Sequence, residues 1–223
     1  MIIAIDGPSG AGKSSLAKNL AKRLGIIYVD TGALYRTIGL YVESKGIAIV
    51  DKDAIVASLS EIRLELAFKD GSQDVLLNGK GVGDSIRTQK IAAYASAVSA
   101  IPKVREFLLD TQRNIANSNS VIMDGRDIGT VIFPNADVKI FLTADDLSRA
   151  KRRFAELSEK GTVTTLERVL EEMRERDKND STRATAPAIP ADDAVILDNS
   201  GMSIEETELA AIRIIEERTN KSI

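Results

Sequence analysis

Gly7-Pro8-Ser9-Gly10-Ala11-Gly12-Lys13-Ser14 has the spacing GxxxxGK[ST], and Ser15 adds a second hydroxyl. Glycines at these intervals let the main chain curl until its N–H groups converge, and a helix beginning at the end of the loop adds its unpaired first amides. Such a cradle takes a nucleoside triphosphate. Lys13 reaches the β- and γ-phosphates, and the Ser14 hydroxyl is a ligand for Mg²⁺. Val121-Ile122-Met123-Asp124 is an apolar run ending in a carboxylate, the form expected of the acid that holds Mg²⁺ directly or through water. A strand-end Asp also serves simply to cap the next loop, but Gly125-Arg126-Asp127 adds further charge at the same place. Arg36, Arg105, Arg126, Arg176 and Arg183 each fall near a glycine turn, an inferred helix end or a loop, where a guanidinium fork meets phosphate well. Taken singly each reads as a surface arginine. Together they suggest an acceptor that already carries phosphate, whose charge must be neutralised before a second phosphoryl group approaches.

The elements that position these groups alternate. Ile2–Ile5 reads as a buried strand and Lys13–Leu24 as a helix, with Leu16, Leu20 and Leu24 on one face and Gly25 to end it. A strand over Ile26–Val29 delivers Asp30-Thr31-Gly32, and Leu34–Ser44 is helical. Strand, helix, strand, helix implies a parallel sheet, whose ligands gather at the carboxyl ends of its strands. Asp30, Asp124 and the glycine loop all follow strands and are expected at that edge. The rhythm breaks between about 60 and 84, where Ile62, Leu64, Leu66 and Phe68 alternate with charged residues and Val75-Leu76-Leu77 follows Lys69-Asp70-Gly71-Ser72. This predicts an inserted antiparallel hairpin. Two helices split near Pro102 fill Ser85–Ser118, and buried strands return at Val121–Met123 and Val138–Leu142. Charge-dense helices at Asp146–Lys160 and Thr165–Asn179, parted by Gly161, read as a solvated face. A proline-rich loop at Thr182–Pro190 precedes a strand at Ala194–Leu197 and a helix at Ser203–Glu217, opened by Ser203 and Glu206 at capping-box spacing.

The chain has 223 residues, enough for one α/β domain with an insertion. Its net charge of −3 gives no general attraction to nucleic acid or acidic membranes. It contains no cysteine and no histidine. Disulfides, thiolate or imidazole metal sites, and Cys or Ser-His-Asp nucleophiles are thereby excluded. Phosphoryl transfer, which relies on positioning and charge neutralisation, remains open. Met1–Ile5 is a short apolar run without a basic leader, and no stretch approaches the roughly 20 apolar residues of a membrane span. A cytoplasmic protein is expected, with no membrane and no nucleic acid among its partners.

Three classes could use such a cradle. A hydrolase positions water, a switch protein needs base-specific motifs, and a kinase needs a second pocket for its acceptor. Asp198-Asn199-Ser200-Gly201 fits the DxxG pattern of guanine-nucleotide switches, but it follows the last predicted strand and no NKxD motif accompanies it. The kinase reading is favoured.

In order along the chain, "DGPSGAGKSS", "DTGALYR", "IRTQKIAAYASAVSAIPKVR", "DGRDIGTVIFPNADVKIFL" and "RERDKNDSTRATAP" resemble the successive motifs of bacterial cytidylate kinases, over about residues 2 to 200. The resemblance implies a P-loop nucleoside monophosphate kinase fold: a five-stranded parallel sheet, a helical lid, and an acceptor-binding part enlarged by a small antiparallel sheet. In one domain over 1–223, the core would take about 1–58, 119–145 and 191–223, the acceptor part 32–118 and the lid 146–185. It implies a monomer that transfers phosphate from MgATP to CMP or dCMP. Gly7 to Ser15 would bind ATP, with Lys13, Arg126 and Arg176 catalytic. Arg36, Arg126 and Arg176 would hold phosphates, Thr31 would lie near the acceptor, and Asp180 would meet the sugar hydroxyls. Ser96, Arg105, Asp127 and Arg183 would surround cytosine, whose N4 amino group suits a carboxylate acceptor and whose O2 and N3 suit Ser and Arg. The chain departs from the common pattern at Thr31, where many members have Ser, and at Ser14-Ser15, where they have Gly-Thr. Both keep a hydroxyl. Arg149, Arg152 and Arg153 are left on the solvated face. The alternative within enzymes is a small-molecule kinase with a different acceptor.

Overall fold

The computed structural model describes residues 1–69, 72–159 and 161–222. Strand β1 (Ile2–Asp6) buries Ile3, Ala4 and Ile5 completely, as a strand covered on both faces must. It lies at the centre of a five-stranded sheet ordered β2-β6-β1-β7-β8, where β2 is Ile27–Asp30, β6 Val121–Gly125, β7 Val138–Thr143 and β8 Val195–Asp198. β1 runs parallel to β7 with Asp6 opposite Phe141, and β7 parallel to β8 with Thr143 opposite Asp198. The chain divides into two compact units, Met1–Ile26 with Ile122–Ile223, and Ile27–Val121.

In the first unit, helix α1 (Lys13–Leu24) buries Leu16, Ala17, Leu20 and Ala21 and stops at Gly25 in the left-handed conformation. Helices α6 (Asp146–Glu159) and α7 (Leu166–Thr182) share a small core of Ala150, Leu157, Val169 and Met173. Lys160, predicted to end the first of these helices, lies outside the described residues. Helix α8 (Ile204–Thr219) opens with the predicted capping box, Ser203 bonding Glu206 N–H while the Glu206 side chain accepts from Ser203 N–H.

In the second unit, α2 (Thr31–Ser44) starts three residues earlier than its apolar pattern suggests, because Asp30 caps it by accepting from Ala33 N–H at 2.9 Å. The predicted hairpin is a three-stranded antiparallel sheet of β3 (Leu64–Lys69), β4 (Ser72–Leu77) and the two-residue β5 (Lys80–Gly81). Leu64 pairs with Leu77, and Asp70 and Gly71, predicted to lie in the hairpin's loop, are outside the described residues. The short helix α3 (Lys52–Ser58), which apolar periodicity does not announce, is set by an Asp51 cap on Ala54 N–H. Helices α4 (Gln89–Ser99) and α5 (Pro102–Ala116) complete the unit, with Pro102 in the first turn of α5, where its missing N–H costs nothing. Leu34, Ile38, Ile55, Val98, Val104 and Leu108 form its core.

Candidate active site

In the first unit the glycine loop leaves β1 at Gly7, whose φ of +146° is joined by a closer constraint: a Cβ there would lie 2.0 Å from the Leu142 carbonyl oxygen. No side chain fits at that position. Gly12, at φ +92°, turns the chain into α1. Lys13 is buried, and its Nζ donates to the Pro8 carbonyl at 2.7 Å, folding the side chain back over the loop.

Ser14 Oγ donates to an Asp124 carboxylate oxygen at 2.7 Å. The two predicted Mg²⁺ ligands are therefore in contact, and both offer the hard oxygen that this cation takes. No group of three or more acidic, His or Cys side chains assembles among the described residues. That donor set suits a cation that draws its remaining ligands from water and phosphate, as Mg²⁺ does.

Arg126, Arg176 and Arg183 meet around the buried Asp180 carboxylate. Arg126 Nε donates to it at 3.1 Å, with Arg183 at 3.7 Å and Arg176 at 3.9 Å. Arg183 also donates from Nε to the Ala186 carbonyl at 2.7 Å and stands 4.0 Å from the buried Asp127. The collected cations show in the lysine. Burial first, and then the neighbouring Arg126, push the Lys13 ammonium well below its ordinary range; Arg176 acts in the same direction, against Asp124 and Asp6.

Arg149 is the correction to the sequence reading. It does not lie on a solvated face: it is 5% exposed and donates to the carbonyls of Ala144 at 3.0 Å and Ser9 at 2.8 Å. It also pairs with Asp177 of α7 and with Asp146. Asp177 in turn accepts the Ser9 amide at 3.0 Å, so both charged helices are bonded to the glycine loop. Arg152 donates to the Asn199 side chain at 3.0 Å and to its carbonyl at 2.8 Å, and Asn199 Nδ2 donates to the Ala11 carbonyl. Arg153 pairs with Glu156, one helical turn on, at 2.7 Å. Sequence spacing gave one clue to Arg149: Asp146 lies one helical turn before it. A cavity of about 260 Å³ opens beside this latch, lined by Pro8, Arg126, Arg149, Asp177, Lys178 and Ser181 among others.

The second unit carries the other predicted acceptor residues. Thr31 is buried in the first turn of α2, and Arg36 one turn on pairs with Asp30 at 2.7 Å. Asp30 is held in turn by Gln73 of β4, whose side-chain amide accepts from Asp30 N–H at 2.8 Å and donates to the Asp30 carbonyl at 3.3 Å. Arg105 is buried in α5, donates to the Ser99 carbonyl at 3.0 Å, and places its guanidinium 5.4 Å from the centre of the Tyr35 ring. Ser96, half-buried on α4, offers its carbonyl to the Ser99 hydroxyl at 2.8 Å. Gln73 and Tyr35 were not singled out in the sequence, since neither type in isolation marks a site.

The chain is matched over residues 3–217 by the cytidylate kinase family. Curated relatives include the cytidylate kinase of Caldicellulosiruptor bescii, 48% identical over 204 residues that cover 92% of this chain and 90% of the relative. The cytidylate kinase of Geobacter sulfurreducens is 49% identical over 220 residues, covering 98% and 94%. Among solved structures, an uncharacterized protein from Eubacterium ventriosum shares the fold, with a TM-score of 0.53 at 15% identity over 97% of this chain and 98% of the other. The chain belongs to the cytidylate kinase family, and is a nucleoside monophosphate kinase.

Proposed function

We propose that the protein transfers the γ-phosphoryl group of ATP to CMP or dCMP, giving ADP and CDP or dCDP. The observation that carries this reading is the gathering of Arg126 at 3.1 Å, Arg183 at 3.7 Å and Arg176 at 3.9 Å on the buried Asp180 carboxylate, with Arg126 and Arg176 also repelling the Lys13 ammonium. Phosphate oxygens arriving there would relieve that repulsion, most of all when charge spreads over the phosphoryl group in transfer.

In this reading an α-phosphate oxygen of CMP attacks the γ-phosphorus in line, and the bridging oxygen leaves with ADP. No general base is required, because the attacking oxygen is already anionic. The glycine loop from Gly7 to Ser15 and the Lys13 side chain hold the donor phosphates. Lys13, Arg126 and Arg176 follow the moving charge, and Arg36 holds the acceptor phosphate beside Thr31. Asp180 meets the sugar hydroxyls. Asp127 accepts from the cytosine amino group while Ser96, Arg105 and Arg183 face its other edge. Ser14 and Asp124 are the residues that would hold Mg²⁺, which when bound neutralises charge on the donor phosphates. The helices at 146–185 serve as a lid that excludes water, and 32–118 as the acceptor part, of one kinase domain. A cytoplasmic monomer accompanies this reading; light scattering on the purified protein tests the oligomeric part of it.

The test is a steady-state panel with ATP and CMP, dCMP, UMP, AMP and shikimate. The expected result is a kcat/KM for a cytidine nucleotide well above every other acceptor. A decisive preference for any other acceptor sinks the proposal.

A further inference from the structure

Asp6 ends β1, one residue before the glycine loop, and is 6% exposed. Its two carboxylate oxygens accept separate hydrogen bonds, one from Ile128 N–H at 2.8 Å and one from Gly129 N–H at 2.7 Å. Those amides open a π-helical turn, Ile128–Ile132, closed by Ile132 N–H to the Asp127 carbonyl and Phe133 N–H to the Ile128 carbonyl. The residues just before the turn are Arg126 and Asp127. π-Helical turns are rare and tend to occur at functional sites, and this one is pressed closely onto the sheet. A Cβ on Gly129 would lie 3.1 Å from the Lys139 side chain and 3.4 Å from Asp6 itself.

A buried carboxylate is costly, and here burial pushes Asp6 up to about 6, with the Asp127 charge adding to the rise while Lys13 and the two amides oppose it. Packing alone would favour an apolar residue at this position. The ionised group does what an apolar one cannot: it fixes two successive peptide planes immediately after Asp127.

We propose that Asp6 is a positioning residue for the acceptor-reading segment, its carboxylate holding the π turn so that Arg126 and Asp127 keep their directions. This rests on the reading above, in which Asp127 faces the cytosine amino group. The end of the strand that launches the donor loop thereby also sets the aim of residues that read the acceptor, through 2.7 and 2.8 Å bonds spanning more than 120 positions of sequence.

Asp6→Asn keeps the shape but turns one acceptor into an NH₂ that opposes a backbone N–H. Expected is a rise of about tenfold in KM for CMP with KM for ATP within about twofold, and a fall of about tenfold in the kcat/KM preference for CMP over UMP, as displacements of reacting groups produce. Gly129→Ala, whose Cβ crowds the Lys139 side chain and the Asp6 carboxylate beneath the turn while keeping residue 6 an Asp, is expected to repeat this pattern and covers the case in which Asp6→Asn does not fold. Equal rises in both KM values, or an unchanged CMP preference in a folded variant with a lowered Tm, overturn the proposal. Asp127→Ala separates the two levels. If it abolishes the CMP preference while Asp6→Asn and Gly129→Ala do not, only the positioning role fails. If Asp127→Ala leaves the preference intact, the reading of Asp127 fails and the positioning role falls with it.

Discussion

Ser14 Oγ donates a 2.7 Å hydrogen bond to the Asp124 carboxylate across 110 residues of chain, so the hydroxyl in the first turn of α1 and the acid near the end of β6 form one oxygen-rich corner. Asp124→Asn removes the negative charge of that corner and leaves its shape. The expected outcome is a Mg²⁺ requirement raised by at least about tenfold and a kcat lowered by about a hundredfold. Titration of activity with Mg²⁺ at saturating ATP checks this; an unchanged metal dependence contradicts it.

Lys13 and Arg183 are expected to fail in different kinetic constants. Lys13→Ala removes charge matched to the transition state and lowers kcat by about 10² to 10³ with modest change in KM. Arg183→Ala raises KM for CMP by about tenfold more than KM for ATP, because Arg183 stands beside Asp127 and Asp180. Initial-rate measurements varying each substrate separate the two, and equal effects of Arg183→Ala on both substrates remove its base-contacting role.

Arg149→Ala leaves Asp177 and Asp146 without their buried partner and strips donors from two carbonyls. Asp146 keeps Arg174 and Asp177 keeps the Ser9 amide, so the loss of stability comes mainly from the two carbonyls left without donors and is about 2 kcal/mol. Urea denaturation is expected to show that loss at neutral pH, and Arg149→Lys, with charge but no fork, to recover only part of it.

Stability should depend on pH through Asp6. Its folded value of about 6 lies above the ordinary 3.8, so the folded chain binds the proton more tightly than the unfolded one. The resulting stabilisation is fully present below pH 3.8 and is lost as pH rises through 6. Relative to Asp6→Asn, the unaltered protein should gain about 1 kcal/mol on going from pH 7 to pH 5. Paired denaturation curves at those two pH values measure this, and a difference of opposite sign contradicts the assignment.

The sequence was most informative where local rules act alone. Leu16 and Leu20 at helical spacing, Lys13 after glycine and Gly25 as terminator fix α1 at both ends, and Ser203 with Glu206 mark the start of α8. The meeting of Ser14 with Asp124, and of Arg126 with Arg176 and Arg183, could be anticipated from their places at strand and helix ends. What escaped depends on partners remote in the chain. Arg149 sits in a stretch as charged as any solvated helix, and only the proximity of Ser9 and Ala144 draws it inside. Asp6 reads as the first letter of a loop motif, whereas its bonds are to Ile128 and Gly129. Helix α3 is too short for a period to register, and its cap at Asp51 was the available sign.

The grip of Gln73 on Asp30 touches only main-chain atoms of the residue it holds. A primary amide can match the main-chain N–H and C=O of any residue except proline, whatever side chain that residue carries. The inserted sheet is thus fastened like a button, indifferent to the identity of residue 30, while the Asp30 side chain is free for Arg36. Attachment and charge pairing are separable properties of one residue. A hairpin of different length or composition that delivers one amide to the same point could replace this one without rewriting the arginine's partner, which makes the insertion an interchangeable part.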